Sequence, residues 1–234
     1  MMSVRPKFYI VLGPYRSGTS LVSRLAHKLG ADPGPESGLF EATAWNPSGY
    51  IQRPDITAFN TELIVSTGGT LTRPCPPEEI SKRTDPSHFN SLSLDWTRST
   101  SNVLAKDPRF CFTLLAWMQH GVFADFDLAL IRITRDIKQT AASALAHYDV
   151  KNYCENSFVT AQEVITRYDQ AAHWHEVNLR VPCHTITYED LINEPPAEVS
   201  RLAGFMGVSD TNLISSAIAA TLEGKSRISH DLSG

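Results

Sequence analysis

Cysteine is scarce: four in 234 residues, at positions 75, 111, 154 and 183. None forms a C-x-x-C pair, and there is no Cys/His cluster at zinc spacing. That excludes a disulfide scaffold and fits reduced thiols in a cytoplasmic protein. No apolar run approaches the ~18–20 residues that a membrane span requires. The first apolar stretch, Phe8 to Leu12, is short even for a signal-peptide core and lacks a small-x-small cleavage site, so it is expected to be a strand. Basic charge is not in excess either: 21 Lys and Arg face 25 Asp and Glu, a formal charge of −4. That argues against a nucleic-acid coat and leaves room for a local anion site. Internal repeats and low-complexity segments are missing. What remains is an ordinary globular composition, long enough to bury about 70% of the unfolded surface without staples. The length implies one domain over residues 1–234.

Strand and helix patterns alternate along the chain. Lys7–Leu12 reads as a buried strand stopping at Gly13, and Thr19–Leu29 carries a helical stripe ended by Gly30. Residues 31–49 read as a Pro/Gly/Ser-rich loop, Pro54–Val65 as a helix and 67–87 as a second long loop. Phe89–Val103 is expected to be helical. Val103–Ala105 is a short strand entering Lys106-Asp107-Pro108-Arg109, with a helix on to about His120. Leu128–Thr134 is a strand, followed by a helix capped by Asp136. Phe158–Leu179 is a long amphipathic helix, His184–Tyr188 a strand, and helices near Pro196–Met206 and Thr211–Leu222 follow. This order predicts an α/β fold, a parallel sheet covered by helices on both faces.

Between the first strand and helix lies Gly13-Pro14-Tyr15-Arg16-Ser17-Gly18-Thr19-Ser20. Glycines at both ends let backbone N–H groups turn inward, and the helix start adds partial positive charge, which makes a phosphate cradle. It nearly matches the G-x-x-x-x-G-K-[ST] pattern, but Thr19 occupies the lysine position and the cation sits earlier, at Arg16.

Arg16-Ser17-Gly18-Thr19-Ser20-Leu21 resembles the 5′-phosphosulfate loop of the sulfotransferase family, whose donor is 3′-phosphoadenosine 5′-phosphosulfate (PAPS). Four further stretches agree in order. Asn46-Pro47-Ser48-Gly49-Tyr50 and Lys106-Asp107-Pro108-Arg109 resemble the N-P-x-G-[YF] and K-D-P-R elements of bacterial members. Arg135, eight residues before Ser143, resembles the 3′-phosphate strand and helix. Tyr188-Glu189-Asp190-Leu191 with Glu194-Pro195 resembles the late Y-E-D-L-x-x-x-P element. The resemblance spans about residues 7–207 and implies a three-layer fold of the P-loop type. It further implies transfer of a sulfuryl group to a hydroxyl or amine, in a sugar, peptide or other small-molecule acceptor.

The resemblance carries roles with it. Arg16, Ser17, Gly18, Thr19 and Ser20 would hold the phosphosulfate, and Arg135 and Ser143 the 3′-phosphate. Tyr188 would stand near the adenine, and Lys225 and Arg227 would either close over the 3′-phosphate or belong to a free tail. Arg16 and Lys106 would stabilise the bridging oxygen of the leaving phosphate. The transferring group carries less negative charge than a terminal phosphate, so no metal is required. Asp107, the one residual metal-holding candidate, reads as a turn former. The general base is open: Pro108 stands where cytosolic members carry the histidine of K-x-H, and Gln52 cannot accept a proton. Glu36, twenty residues after Arg16, is slightly favoured over Glu41, with His120, Asp55 and Glu62 as outside possibilities. Tyr168, His173, Trp174 and His175 are expected to pack on or decorate the long helix. Two other readings stay open, an ATP-dependent small-molecule kinase with a variant phosphate loop and an inactive binding protein that kept the fold. The loops at 31–50 and 67–87 are the expected walls of an acceptor pocket; oligomeric state leaves no trace in the sequence.

Overall fold

The computed structural model describes residues 5–43, 46, 49–97 and 102–231, without the side chains of 148–149 and 223–231. Four parallel strands form its centre: β1 (Lys7–Leu12), β2 (Asn102–Lys106), β3 (Asp127–Thr134) and β4 (Cys183–Thr187), in the order β2-β1-β3-β4. β1 pairs with β2 through Val11 opposite Lys106 and with β3 through Leu12 opposite Arg132.

Successive strand residues point to opposite faces, and this alternation divides the core in two. Phe8, Ile10 and Leu12 face α2 (Pro54–Ser66), α3 (Pro77–Arg83), α4 (Phe110–Gln119), α5 (Ile137–Ala146), α6 (Tyr148–Tyr153) and α7 (Phe158–Asn178). Tyr9 and Val11 face α1 (Thr19–Lys28), α8 (Tyr188–Asn193), α9 (Pro195–Met206) and α10 (Thr211–Asp231). Trp117 anchors the first side, ringed by Phe59, Phe110 and Phe123 with centroids 5.3, 5.0 and 6.0 Å away. Its indole N–H donates to Asn60 Oδ1 at 2.9 Å, so the polar tip is satisfied inside the core. No described helix is long and apolar enough to cross a membrane.

The helices after β2 and β3 lie on one face, and the helix after β1 on the other. Where neighbouring strands send their connections to opposite sides, a crevice opens at their carboxyl ends. Here β1 has such a neighbour on each side, so the loop after β1 sits in a crevice flanked by the ends of β2 and β3.

Two expectations differ from the structure. The described residues of the stretch expected to be helical, 89–97, form no α-helix: 3₁₀ turns lie at Pro86–Ser91 and Asp95–Thr97, and residues 98–101 of the expected helix lie outside the described residues. Phe89, Leu92, Leu94 and Trp96 all pack against the large core, and Leu94 lies off the single stripe that Phe89, Leu92 and Trp96 would share on a straight helix. Inside the expected 67–87 loop lies α3, where Pro77 occupies the first helical turn and Ile80 is fully buried. Proline starts this helix instead of breaking the chain.

Candidate active site

The loop from Gly13 to Ser20 is held open by close packing at both glycines. A Cβ on Gly13 would come within 2.8 Å of Ile133 Cγ2 and 2.9 Å of its carbonyl oxygen. A Cβ on Gly18 would lie 2.6 Å from the Tyr188 ring, and its φ of 104 is one that side-chain-bearing residues rarely adopt. Arg16 itself sits at φ 65. Ser17 turns its hydroxyl and its N–H back onto the Pro14 carbonyl, at 2.8 and 3.3 Å. Ser17 therefore shapes the loop, and its hydroxyl does not face the crevice. α1 starts at Thr19 with no side-chain cap and no acid in its first turn, which leaves its leading N–H groups for an incoming anion.

On the β3 side, Arg135 Nη1 donates to the Arg16 carbonyl at 3.1 Å, and its guanidinium lies 4.2 Å from the centroid of Tyr188. Arg16 Nε donates to Ser143 Oγ at 3.3 Å. Arg16, Arg135, Ser143 and Tyr188 thus converge, although they come from four separate segments. Arg135 Nε is buried with no partner, an idle donor where an anion would find one. Burial, with the Arg135 charge beside it, pulls the Arg16 pKa below the usual guanidinium value, against a smaller opposing pull from Tyr50. The sequence assigned Arg16 to the phosphosulfate; in the structure its guanidinium reaches Ser143, the residue expected at the 3′-phosphate.

On the β2 side, the alternation that buries Leu104 against α1 also turns Lys106 toward α1. Lys106 is 3% exposed, and its ammonium lies 3.5 Å from Ser20 Oγ and 2.7 Å from Gln52 Oε1. Burial lowers the Lys106 pKa to about 7; Asp107 raises it, while Arg24, Arg109 and Arg16 depress it further. Asp107 is fully buried. Its carboxylate accepts from the Arg109 backbone N–H at 2.7 Å, the Arg109 guanidinium at 3.2 Å, Thr57 Oγ1 at 2.6 Å and Gln52 Nε2 at 2.8 Å. Asp107 is thus the hub of a buried network as well as a turn former. Arg24 escaped the sequence reading, although it lies one helical turn after Ser20 on α1 and that spacing would have placed it here.

The expected base residues are scattered. Glu36 and Glu41 are exposed on the loop whose Phe40 N–H bonds to the Gln52 carbonyl at 2.9 Å, so this loop runs beside the segment that reaches Lys106. The outside possibilities are engaged elsewhere: Asp55 pairs with Arg53 at 3.0 Å and Glu62 with His88 at 3.5 Å. His120, at the far end of α4, stacks on Phe89 at 4.5 Å. Tyr168 and His175 are buried, and His173 pairs with Glu176 at 2.9 Å. Lys225 and Arg227 fall in α10, but their side chains lie outside the described residues, as do Pro47 and Ser48 of the N-P-x-G-[YF] element. Among the described residues, no group of three or more His, Cys, Asp or Glu gathers as a metal site.

A glycine-bounded loop thus lies between two strand ends, each carrying a cation, on a parallel α/β sheet. The sequence profile of the sulfotransferase family matches residues 9–212, and the chain belongs to that family. Solved structures agree in fold. The sulfotransferase domain from the curacin biosynthetic pathway superposes with a TM-score of 0.52 at 16% identity, over 91% of this chain and 77% of that one. Sulfotransferase STF9 from Mycobacterium avium gives 0.52 at 14%, over 95% and 69%. Retinol dehydratase in complex with androsterone and the inactive cofactor PAP gives 0.50 at 13%, over 96% and 66%. This chain therefore spans about two thirds of the length of the last two. No curated protein matches it in sequence.

Proposed function

We propose that this protein is a PAPS-dependent sulfotransferase that moves a sulfuryl group to a hydroxyl or amine acceptor. The observation that carries the reading is the placement of Lys106 and Arg135 at the ends of the two strands that flank the phosphate loop. PAPS carries two anionic groups on its ribose, the 5′-phosphosulfate and the 3′-phosphate, and this arrangement offers a cation to each. The N–H groups at the start of α1 and Lys106 take the phosphosulfate. Arg135 and Ser143 take the 3′-phosphate, Arg16 reaches Ser143, and Tyr188 stands at the adenine edge. Forked guanidinium donors suit a phosphate dianion.

In the transfer, the acceptor oxygen attacks sulfur from the side opposite the bridging oxygen. The S–O bond to that oxygen breaks, a new S–O bond forms, and 3′,5′-adenosine bisphosphate leaves. The Lys106 ammonium stabilises the charge that builds on the departing oxygen. The acceptor proton goes to a carboxylate of the 36–41 loop, Glu36 or Glu41. The modest charge of the sulfuryl group makes the reaction independent of a metal, and four unbridged thiols fit a reducing, cytoplasmic setting.

Calorimetry tests the donor site. The bisphosphate should bind in the presence of a chelator, and Arg135→Ala should lose most of the heat. ADP binding as tightly as the bisphosphate, or tight binding of ATP only with magnesium, would overturn the reading in favour of a kinase. Transfer from sulfur-labelled PAPS to any hydroxyl compound separates an enzyme from an inactive binder.

A further inference from the structure

Gln52 has no part in the proposed transfer, yet among the described residues it is the one neutral side chain that hydrogen-bonds both Lys106 and Asp107. Its Oε1 accepts from Lys106 Nζ at 2.7 Å, while its Nε2 donates to Asp107 Oδ2 and to Thr57 Oγ1, both at 2.8 Å. These partners fix which way the amide faces. A flip would set its NH₂ against an ammonium and its oxygen against a carboxylate. Asp107 cannot move to accommodate a change, because Thr57 and Arg109 hold its oxygens and it is fully buried.

The chain accepts backbone strain to deliver this amide. Ile51, a β-branched residue, stands at φ 45 immediately before it. The preceding turn is pinned at the Gly49 carbonyl, which accepts from Asn46 Nδ2 at 2.6 Å and from Arg24 Nη1 at 3.3 Å. Strain of this kind persists only where the surroundings over-determine it.

We propose that Gln52 is a positioning residue that fixes the Lys106 ammonium beside Ser20, so that its remaining hydrogens meet the bridging oxygen of the departing phosphate. The identity of that oxygen rests on the donor reading; the coupling between Gln52 and Lys106 does not. Gln52 is no base, since an amide takes up no proton at working pH. The charged and titratable groups facing Lys106 are Asp107, Arg109, Arg24 of α1, Arg16 of the phosphate loop and Tyr50, whose ring centroid is 6.0 Å from Nζ. All five act on the ammonium at a distance; Gln52 supplies the shortest of its hydrogen bonds among the described residues.

Lysine-selective NMR on the full chain, with the Lys106 signal assigned by its loss in Lys106→Arg, reads the coupling directly. Gln52→Met removes the acceptor and should lower the titration midpoint by about one pH unit or more, and Gln52→Glu should raise it at least as far. Midpoints in both variants within about 0.3 pH unit of the native protein overturn the proposal, since such a change is too small for a lost hydrogen bond to a charge. Slow hydrolysis of sulfur-labelled PAPS, with water as acceptor, is the second readout. Gln52→Met should lower kcat by about 10- to 100-fold with KM nearly unchanged, the pattern of an interaction made in the transition state. A raised KM with native kcat overturns it. If the native protein neither binds the bisphosphate nor cleaves PAPS, the donor reading fails, and the Lys106 titration still decides the coupling.

Discussion

The two flanks of the phosphate loop carry the same sign of charge and are built on opposite plans. On the β3 flank, Arg16 and Arg135 are held by a main-chain carbonyl, a serine hydroxyl and an aromatic face, and no carboxylate among the described residues bonds to either. Their charge is fixed and largely uncompensated, which costs the empty protein desolvation and leaves an anion the whole benefit. On the β2 flank, the cation is an ammonium held by an amide beside a buried carboxylate, and its charge can be switched off near neutral pH. Permanent charge suits grip. Adjustable charge, set by neighbours, suits a group whose partner changes during a reaction.

The largest test of this contrast removes one flank at a time. Arg135→Ala should weaken bisphosphate binding by about 100-fold, the scale of one or two lost charge-assisted hydrogen bonds. Lys106→Met should weaken it only a few-fold while lowering the rate of PAPS cleavage by about 100- to 1,000-fold, comparable to loss of one preorganised donor at a developing anion. Titration calorimetry and single-turnover rates measure the two; equal effects on both quantities would erase the distinction. Gly18→Ala comes next, because the new methyl collides with the Tyr188 ring that also supports Arg135. About a 10- to 100-fold loss of bisphosphate affinity is expected if the ring is pushed from the guanidinium, with a lowered melting temperature from the strained φ.

A pH series separates the flanks further. With Lys106 lowered to about 7, kcat/KM for PAPS should fall as pH rises above 7, because the free protein then loses the ammonium. Lys106→Arg should abolish that fall. The stability effect has the opposite sign. Between about 7 and the ordinary lysine value of 10.5 the unfolded chain holds the proton and the folded one does not, so the burial penalty is full below 7 and is relieved as pH rises. Lys106→Met should therefore raise the melting temperature most at pH 6 and least near pH 10. The smallest effect belongs to Tyr188→Phe, which keeps the ring face under Arg135 and should change bisphosphate affinity by less than about two-fold, whereas Tyr188→Ala should cost roughly 10-fold.

Much of this was legible in the chain itself. The strand-loop-helix at 7–28, the strands at β2, β3 and β4 and the helix capped by Asp136 follow from apolar periodicity and punctuation. The convergence of Arg16, Arg135 and Ser143 was not legible as geometry, since it depends on β1 lying between β2 and β3, and strand order leaves no local mark. Residues 89–97 misled because Phe89, Leu92 and Trp96 fall at helical spacing yet anchor separate turns. The Asp107 hub was half visible: Asp followed two residues later by Arg permits a local ion pair, but its contacts with Gln52 and Thr57 come from 50 and more residues away. Gln52 was passed over because it was weighed only as a proton acceptor. A residue that works through a neighbour announces itself by position, and position is what folding supplies.

The contact between Gly18 and Tyr188 ties the start of the chain to a residue 170 positions later. While the polypeptide is being made, the glycine turn emerges early, but the aromatic wall that backs it arrives only after β4 has joined the sheet. Every ribosome-bound precursor ending before that point lacks one side of the crevice. On the proposed donor reading, an immobilised bisphosphate would retain chains that include Tyr188 and pass those that stop before it.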